Sequence, residues 1–210
     1  RKLLTDRESS VRLQAILSLG DKVKHDSPTW LTLAKTVIKD EYTTQAFLMA
    51  SGDEIGSIGA AVLKNKSTTG VTQEDQAENL YRLYRSASMK MTPEEHQVAL
   101  EWIAELPKWV NESEVSLGDI RAVRALLESM EARQFDWRGQ VATLPEQQKV
   151  SFDVIWMLAK QWINEESASE QLKQESLRFL AFARDAESLK DLFTRAAFTH
   201  YRAQVLGLLH

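Results

Sequence analysis

Residues 6–20 read DRESSVRLQAILSLG, and how this stretch folds decides how the rest of the chain is read. On a helical wheel at about 100° per residue, Val11, Ala15 and Leu19 form one stripe, while Leu13, Ile16 and Leu17 spread over most of the other side. Such a helix needs cover on more than one face, so Ala15 and Leu19 are expected in the core. Gln14 and Ser18 fill the remaining sector, and Arg12 near the helix start can pack its stem while its head reaches outward. Asp6 and Ser9 are candidate caps, and Gly20 stands where a left-handed terminating residue is least strained.

The pattern returns at Tyr42 to Ser51, YTTQAFLMAS. Gln45, Ala46 and Leu48 repeat Gln14, Ala15 and Leu17 at an offset of roughly thirty residues, a period expected of helical solenoids. Ala46 and Leu48 are therefore expected to be buried as well. Further echoes lie around Leu172 to Leu180 and Tyr201 to Leu209, where HYRAQVLGLL carries Arg202 and Gln204 in the places of Arg12 and Gln14.

An Asp, then Val-Arg, then an apolar run ending Leu-Gly resembles a bacterial HEAT-like repeat of the armadillo type. More narrowly, the order DRESSVRLQAILSLGDK, YTTQAFLMAS, a long helical middle and ESLRFLAFARD resembles the helical region of planctomycete-type secreted proteins, membrane-bound dehydrogenases that bear a cytochrome c-type haem domain. In that family a dehydrogenase-like β-propeller precedes the HEAT-like region and the haem domain follows it. The resemblance covers about the first 70 and last 45 residues, and the middle matches only in helical character. Tyr42 and Thr44 stand where the family tends to have Trp and Arg, so no role is transferred to them. The resemblance implies a module that positions redox domains, in the periplasm or outside the cell.

A length of 210 residues suits one elongated domain or two small globular ones, and 43% hydrophobic with 27% charged residues is ordinary for a globular chain. Without cysteine there is no disulfide, no thiolate metal site, no Cys nucleophile and no Cys-x-x-Cys-His attachment of haem. No apolar run approaches the ~20 residues of a bilayer span, so no membrane insertion is expected. Arg1 begins inside an apparent helix, which predicts a fragment of a larger multidomain protein. The net charge is −4, and residues 71–140 carry most of the acidic excess, with 8 Lys and Arg against 13 Asp and Glu. Duplex DNA binding needs clustered cations, and no such stripe is present.

Along the chain, Ser27-Pro28 opens a helix reaching about Ile38 in which Trp30, Leu31, Leu33, Ala34, Val37 and Ile38 follow helical spacing. Gly52-Asp53 divides the Tyr42 helix from one over Glu54 to Asn65, and KSTTGV at residues 66–71 is a loop. The middle is expected to hold helices over Gln73 to Met89, Pro93 to Val110 and Leu117 to Ala132. Thr92-Pro93-Glu94-Glu95 reads as a capping box, and Leu106-Pro107 as a kink or stop. Residues 133–144, RQFDWRGQVATL, are a non-periodic connector. Helices over Pro145 to Ile163, Ser169 to Ala183, Ala186 to Arg195 and Thr199 to Leu209 complete the reading, and no stretch shows the period-2 pattern of strands.

Chemistry is sparse. His25, His96, His200 and His210 are isolated and lack metal-ligand spacing. Glu94-Glu95 and Glu165-Glu166 point about 100° apart on a helix, so the first pair serves the cap and the helix dipole and the second a solvated end. The glycines of GDEIGSIG at residues 52–59 follow a helix and bring no Lys-Ser or Lys-Thr for phosphates; small residues at Gly56, Gly59 and Ala60 instead predict close helix approach. Asn65-Lys66-Ser67 and Asn111-Glu112-Ser113 match the glycosylation sequon. Trp30, Trp102 and Trp156 sit in core-like patterns. Phe135, Trp137 and Arg138 on the connector have the composition of an interface hot spot, or else fold back to plug the core.

The expected fold is all-α, a right-handed α-α superhelix of HEAT-like repeats, or α-solenoid. One domain covers residues 1–210, with HEAT-like pairs at about 1–66 and 166–210 and a less regular middle over 67–165. The expected role is a non-catalytic, cofactor-free scaffold or spacer binding flanking redox domains or another exported protein. A HEAT-like DNA glycosylase and a helical domain binding a small molecule are the alternatives.

Overall fold

The computed structural model describes residues 2–19, 30, 33–34, 37, 40–64, 74–109 and 116–183. Helix α1 spans Ser9–Leu17, α2 Glu41–Ser51, α3 Ile55–Lys64, α4 Glu74–Ser88, α5 Pro93–Trp109, α6 Leu117–Ala132, α7 Trp137–Thr143, α8 Glu146–Asn164 and α9 Glu170–Ala183. Short 3-10 turns cover Lys2–Thr5 and Gly52–Glu54, and the described residues contain no strand, so the fold is all-α. Trp30, Leu33, Ala34 and Val37 are helical and buried. The helices expected over 186–195 and 199–209, the loop at 66–71, Gly20, both sequons and three of the four histidines lie outside the described residues.

Polar side chains set where the helices begin. Asp40 accepts the Thr43 amide ahead of α2, and Asp136 accepts the Gly139 amide ahead of α7. The expected capping box before α5 is formed: the Glu95 amide donates to Thr92 Oγ1 at 3.3 Å and the Thr92 amide to Glu95 Oε2 at 2.9 Å. A second box, Ser116 with Asp119, opens α6. At α1 the N-cap is Glu8, whose side chain makes no cap bond; Asp6 accepts the Glu8 amide instead. Helix α5 runs through Pro107 to Trp109, so of the kink or stop expected at Leu106-Pro107 the stop is absent.

Helices α1, α2, α4, α6 and α9 each pack against the next, and α3, α5 and α8 form a second row in which α3 meets α5 and α5 meets α8. Contacts of α3 with α4 and of α8 with α9 join the rows. Glu41 and Asp53 meet Arg82 and Lys90 in the same order along the chain, as Glu78 and the Arg85 carbonyl meet Arg121 and Ser129. Front-row helices α2, α4 and α6 are therefore parallel. Front-row helices α1 and α2 start 32 residues apart, at 9 and 41, and α6 and α9 start 53 apart, at 117 and 170, while α4 is described from Glu74.

The core centres on α6, not on the helix of residues 9–17. Ile120, Val123, Leu126, Leu127 and Met130 are fully buried. In α1 the buried residue is Ile16; Ala15 and Leu19 are only half-buried. In α2, Ala46 is buried as expected, but Leu48 is half-buried and Phe47 takes the inner position against Trp30, with ring centroids 5.3 Å apart. The wheel placed Ala46 correctly but took Ala15 and Leu48 for the inner positions that their neighbours Ile16 and Phe47 occupy. The expected close approach is present: a Cβ on Gly56 would lie 2.6 Å from the Lys90 carbonyl oxygen, and one on Gly59 2.5 Å from the Ala87 Cβ.

The stretch Glu41–Lys64 is, by length and composition, long and apolar enough to cross a membrane, which its sequence had not suggested. The 3-10 turn, with Gly52 at φ +51°, divides it into helices of 11 and 10 residues, each well short of the ~20 a bilayer requires.

Candidate functional site

A line of ion pairs crosses the front row. Arg12 donates to Asp40 at 2.8 Å, and Glu41 accepts from Arg82 at 2.5 Å. Arg82 also meets Glu78, which reaches Arg121 at 3.3 Å. Arg121 Nε donates to Glu175 Oε2 at 3.2 Å, and Arg124 Nε to the other oxygen of the same carboxylate. The outer pairs are solvated and worth ~1 kcal/mol or less. At the centre the Glu175 side chain is 0% exposed and that of Arg121 7%, so each depends on the other's charge. Burial opposes the charge on Arg124, but Glu175 and Glu128 outweigh it and raise its pKa above the ordinary arginine value.

This cluster also builds one wall of a trough. Glu128 accepts Arg124 Nη1 at 2.7 Å and the Tyr81 hydroxyl at 2.7 Å, while the Arg124 guanidinium lies 4.5 Å over the Tyr81 ring. Burial and the bond to Glu128 raise the Tyr81 pKa. The trough, about 520 Å³, lies between α2, α3, α4 and α6. Leu48, Ile55, Met89 and Ala132 supply its apolar lining, and Arg85, Lys90, Ser86, Ser129 and Glu128 its polar groups. Arg85 Nη1 donates to the Tyr81 oxygen at 3.3 Å and has no carboxylate partner among the described residues. Lys90 pairs with Asp53 at 2.6 Å in the open.

The connector aromatics go elsewhere. Met130 O accepts the Phe135 amide at 2.9 Å, Glu131 O accepts the Gln134 amide, and Gln134 sits at φ +58°, which closes α6 in a left-handed cap. Phe135 is thereby turned back, half-buried, onto His96, with ring centroids 4.8 Å apart. Trp137 is not on an irregular loop: it opens α7, is 5% exposed, and lies against Trp156 and Phe182. Trp137 is therefore no exposed anchor, and its aromatic pair plugs the core. Arg138 alone of the three is exposed, its guanidinium 4.2 Å over the Trp137 ring and 3.5 Å from Glu131. Of the other tryptophans, Trp30 and Trp102 are buried and Trp156 is half-buried.

His96 is a packing residue. It is 3% exposed, and its Nε2 lies 2.9 Å from the Ser88 carbonyl, which only accepts, so the ring nitrogen is the donor. Burial lowers its pKa below the ordinary histidine value, against the opposing effect of that bond. Among the described residues no group of His, Asp and Glu is placed to hold a metal ion.

Compared with family models, curated proteins and solved structures, the chain has no match in any of the three. The trough residues escaped the sequence reading because Arg85, Met89 and Lys90 sit in an ordinary helix end, while Leu48 and Glu128 come from positions about forty residues to either side. The YRLYR run at residues 81–85, with two aromatics and two guanidiniums within one helical turn, was the one available signal.

Proposed function

We propose that the chain is a HEAT-like α-solenoid serving as a non-catalytic protein-interaction or spacer scaffold. The observation that carries this reading is the front row: helices packed each against the next and joined by ion pairs, with α2, α4 and α6 parallel and α1 and α2 starting 32 residues apart. Repeats of that length stack because a single helix pair cannot bury its apolar face alone, and stacking leaves a long surface of repeated outward positions. Its resemblance to the helical region of planctomycete-type exported dehydrogenases makes flanking redox domains the proposed partners. A nucleic-acid enzyme is disfavoured, because Arg12, Arg82, Arg121, Arg124 and Arg138 are each engaged by carboxylates rather than gathered into a stripe.

Haem titration and a dehydrogenase screen test the proposal. The purified chain is expected to show no Soret band and no turnover, yet to bind a separate cytochrome c-type domain in calorimetry. Stoichiometric haem uptake, or turnover, overturns the scaffold reading.

A further inference from the structure

We propose that the trough between α2, α4 and α6 docks an apolar segment of a partner protein that carries a carboxylate, an inference that rests on the scaffold reading and names its partner class. Two features of the lining decide the chemistry together. Glu128 is already engaged by Arg124 and Tyr81, so the negative wall offers little to a ligand. Arg85 faces no carboxylate among the described residues. Lys90 holds Asp53, whose side chain is 89% exposed, a pair that an incoming acid can exchange at small loss. The trough therefore offers positive charge. Beside it lie Leu48, Ile55, Met89 and Ala132. A purely anionic ligand would leave that apolar surface wet, and a purely apolar one would cover Arg85 without a counter-charge.

The form of the trough favours a polypeptide over a small molecule. Gly52, Arg85, Met89, Lys90 and Ala132 on its rim are exposed, whereas small-molecule sites bury roughly 70–90% or more of their ligand. An unbranched thioether such as Met89 adapts to varied apolar side chains.

Fluorescence anisotropy on the full chain tests this with labelled ten-residue peptides combining Glu or Asp with Leu, Ile or Phe at spacings of one to four. Matched peptides carry Gln or Asn in place of the acid. The tightest acidic peptides are expected to bind about ten-fold or more above their amide counterparts, the loss of one charge-assisted hydrogen bond. Arg85→Glu should remove that preference, Met89→Ala should weaken both peptide sets, and Arg7→Glu, an exposed change at the far end of the front row, should do neither. Circular dichroism checks that each variant folds. Equal binding of acid and amide peptides, or a preference that survives Arg85→Glu, overturns the inference. Displacement of the peptide by decanoate at equal affinity also overturns it, in favour of a small amphiphile. None of these results bears on the scaffold reading, which the haem and turnover measurements decide separately.

Discussion

Helices α1 and α6 are both apolar enough to be core, yet they end in opposite surroundings. In α1 one residue, Ile16, is buried, and Leu17 beside it is 42% exposed; on the neighbouring α2, Tyr42 and Met49 are 67% and 74% exposed. In α6 twelve of sixteen residues are buried, Asp119 and Arg121 among them. Apolar periodicity says which face of a helix prefers cover, but neighbours decide how much cover it receives. Helix α6 has α4 on one side and α9 on the other; Arg121 and Arg124 are paired with carboxylates across those contacts, and Asp119 is held by Ser116 in the capping box.

If this contrast is right, removing a charge at the two places should have unequal effects. Glu175→Ala leaves Arg121 and Arg124 without their shared counter-charge and should lower unfolding stability by about 3–5 kcal/mol. Asp40→Ala removes the α2 cap and the solvated pair with Arg12, and should cost about 1–2 kcal/mol. Urea titrations of both variants decide the order. An Asp40 variant that is the weaker of the two would place the structural centre at α1 and α2.

Truncation sharpens the same contrast by a smaller margin. Leu126 is 0% exposed, and Leu126→Ala should cost about 2–5 kcal/mol. Leu19 is half-buried at the edge of the core, and Leu19→Ala should cost about 1 kcal/mol. Equal midpoint shifts in thermal melts of the two would mean that the turn closing α1 is covered as fully as α6.

The helical class and most boundaries were legible because they depend on local signals. Thr92 with Glu95, Leu117 to Ala132 and the division at Gly52 all follow from residues within a turn of each other. Burial was less legible. Glu175 and Arg121 are 54 positions apart, and neither carries a local sign that it will be buried. Trp137 was ambiguous for a related reason: the missing periodicity suggested a connector and the guanidinium neighbours an interface, but Arg138 stacks on its ring and Asp136 caps the helix that it opens. Beyond the YRLYR run at residues 81–85 the trough left no mark in the sequence, since its walls meet only when α2, α4 and α6 stand side by side.

Acid should separate the two regions with the smallest effect of the three comparisons. His96, behind α6, has its folded pKa held below the ordinary 6.5 by burial, with Arg133 adding to the shift while the Ser88 bond and Glu95 oppose it. The unfolded chain then binds the proton more readily, so stability falls as pH drops below about 6.5 and stops falling once pH passes beneath the folded pKa. For Asp40, burial alone would raise the pKa, but the Thr43 amide and the Arg12 guanidinium together hold it below the ordinary 3.8. Its contribution is complete above about pH 3.8 and is lost as pH falls through the lowered folded value. Stability measured by urea titration across pH should therefore decline in two steps, a milder-acid step from His96 and a stronger-acid step that Asp40 shares with Asp53 and Glu94, whose carboxyls are also held below the ordinary range, by Lys90 and by hydrogen bonds at the start of α5. His96→Gln should flatten the first and leave the second, Asp40→Asn should shrink the second and leave the first, and a first step that persists in the His96 variant would mean that another group at the centre takes up the proton.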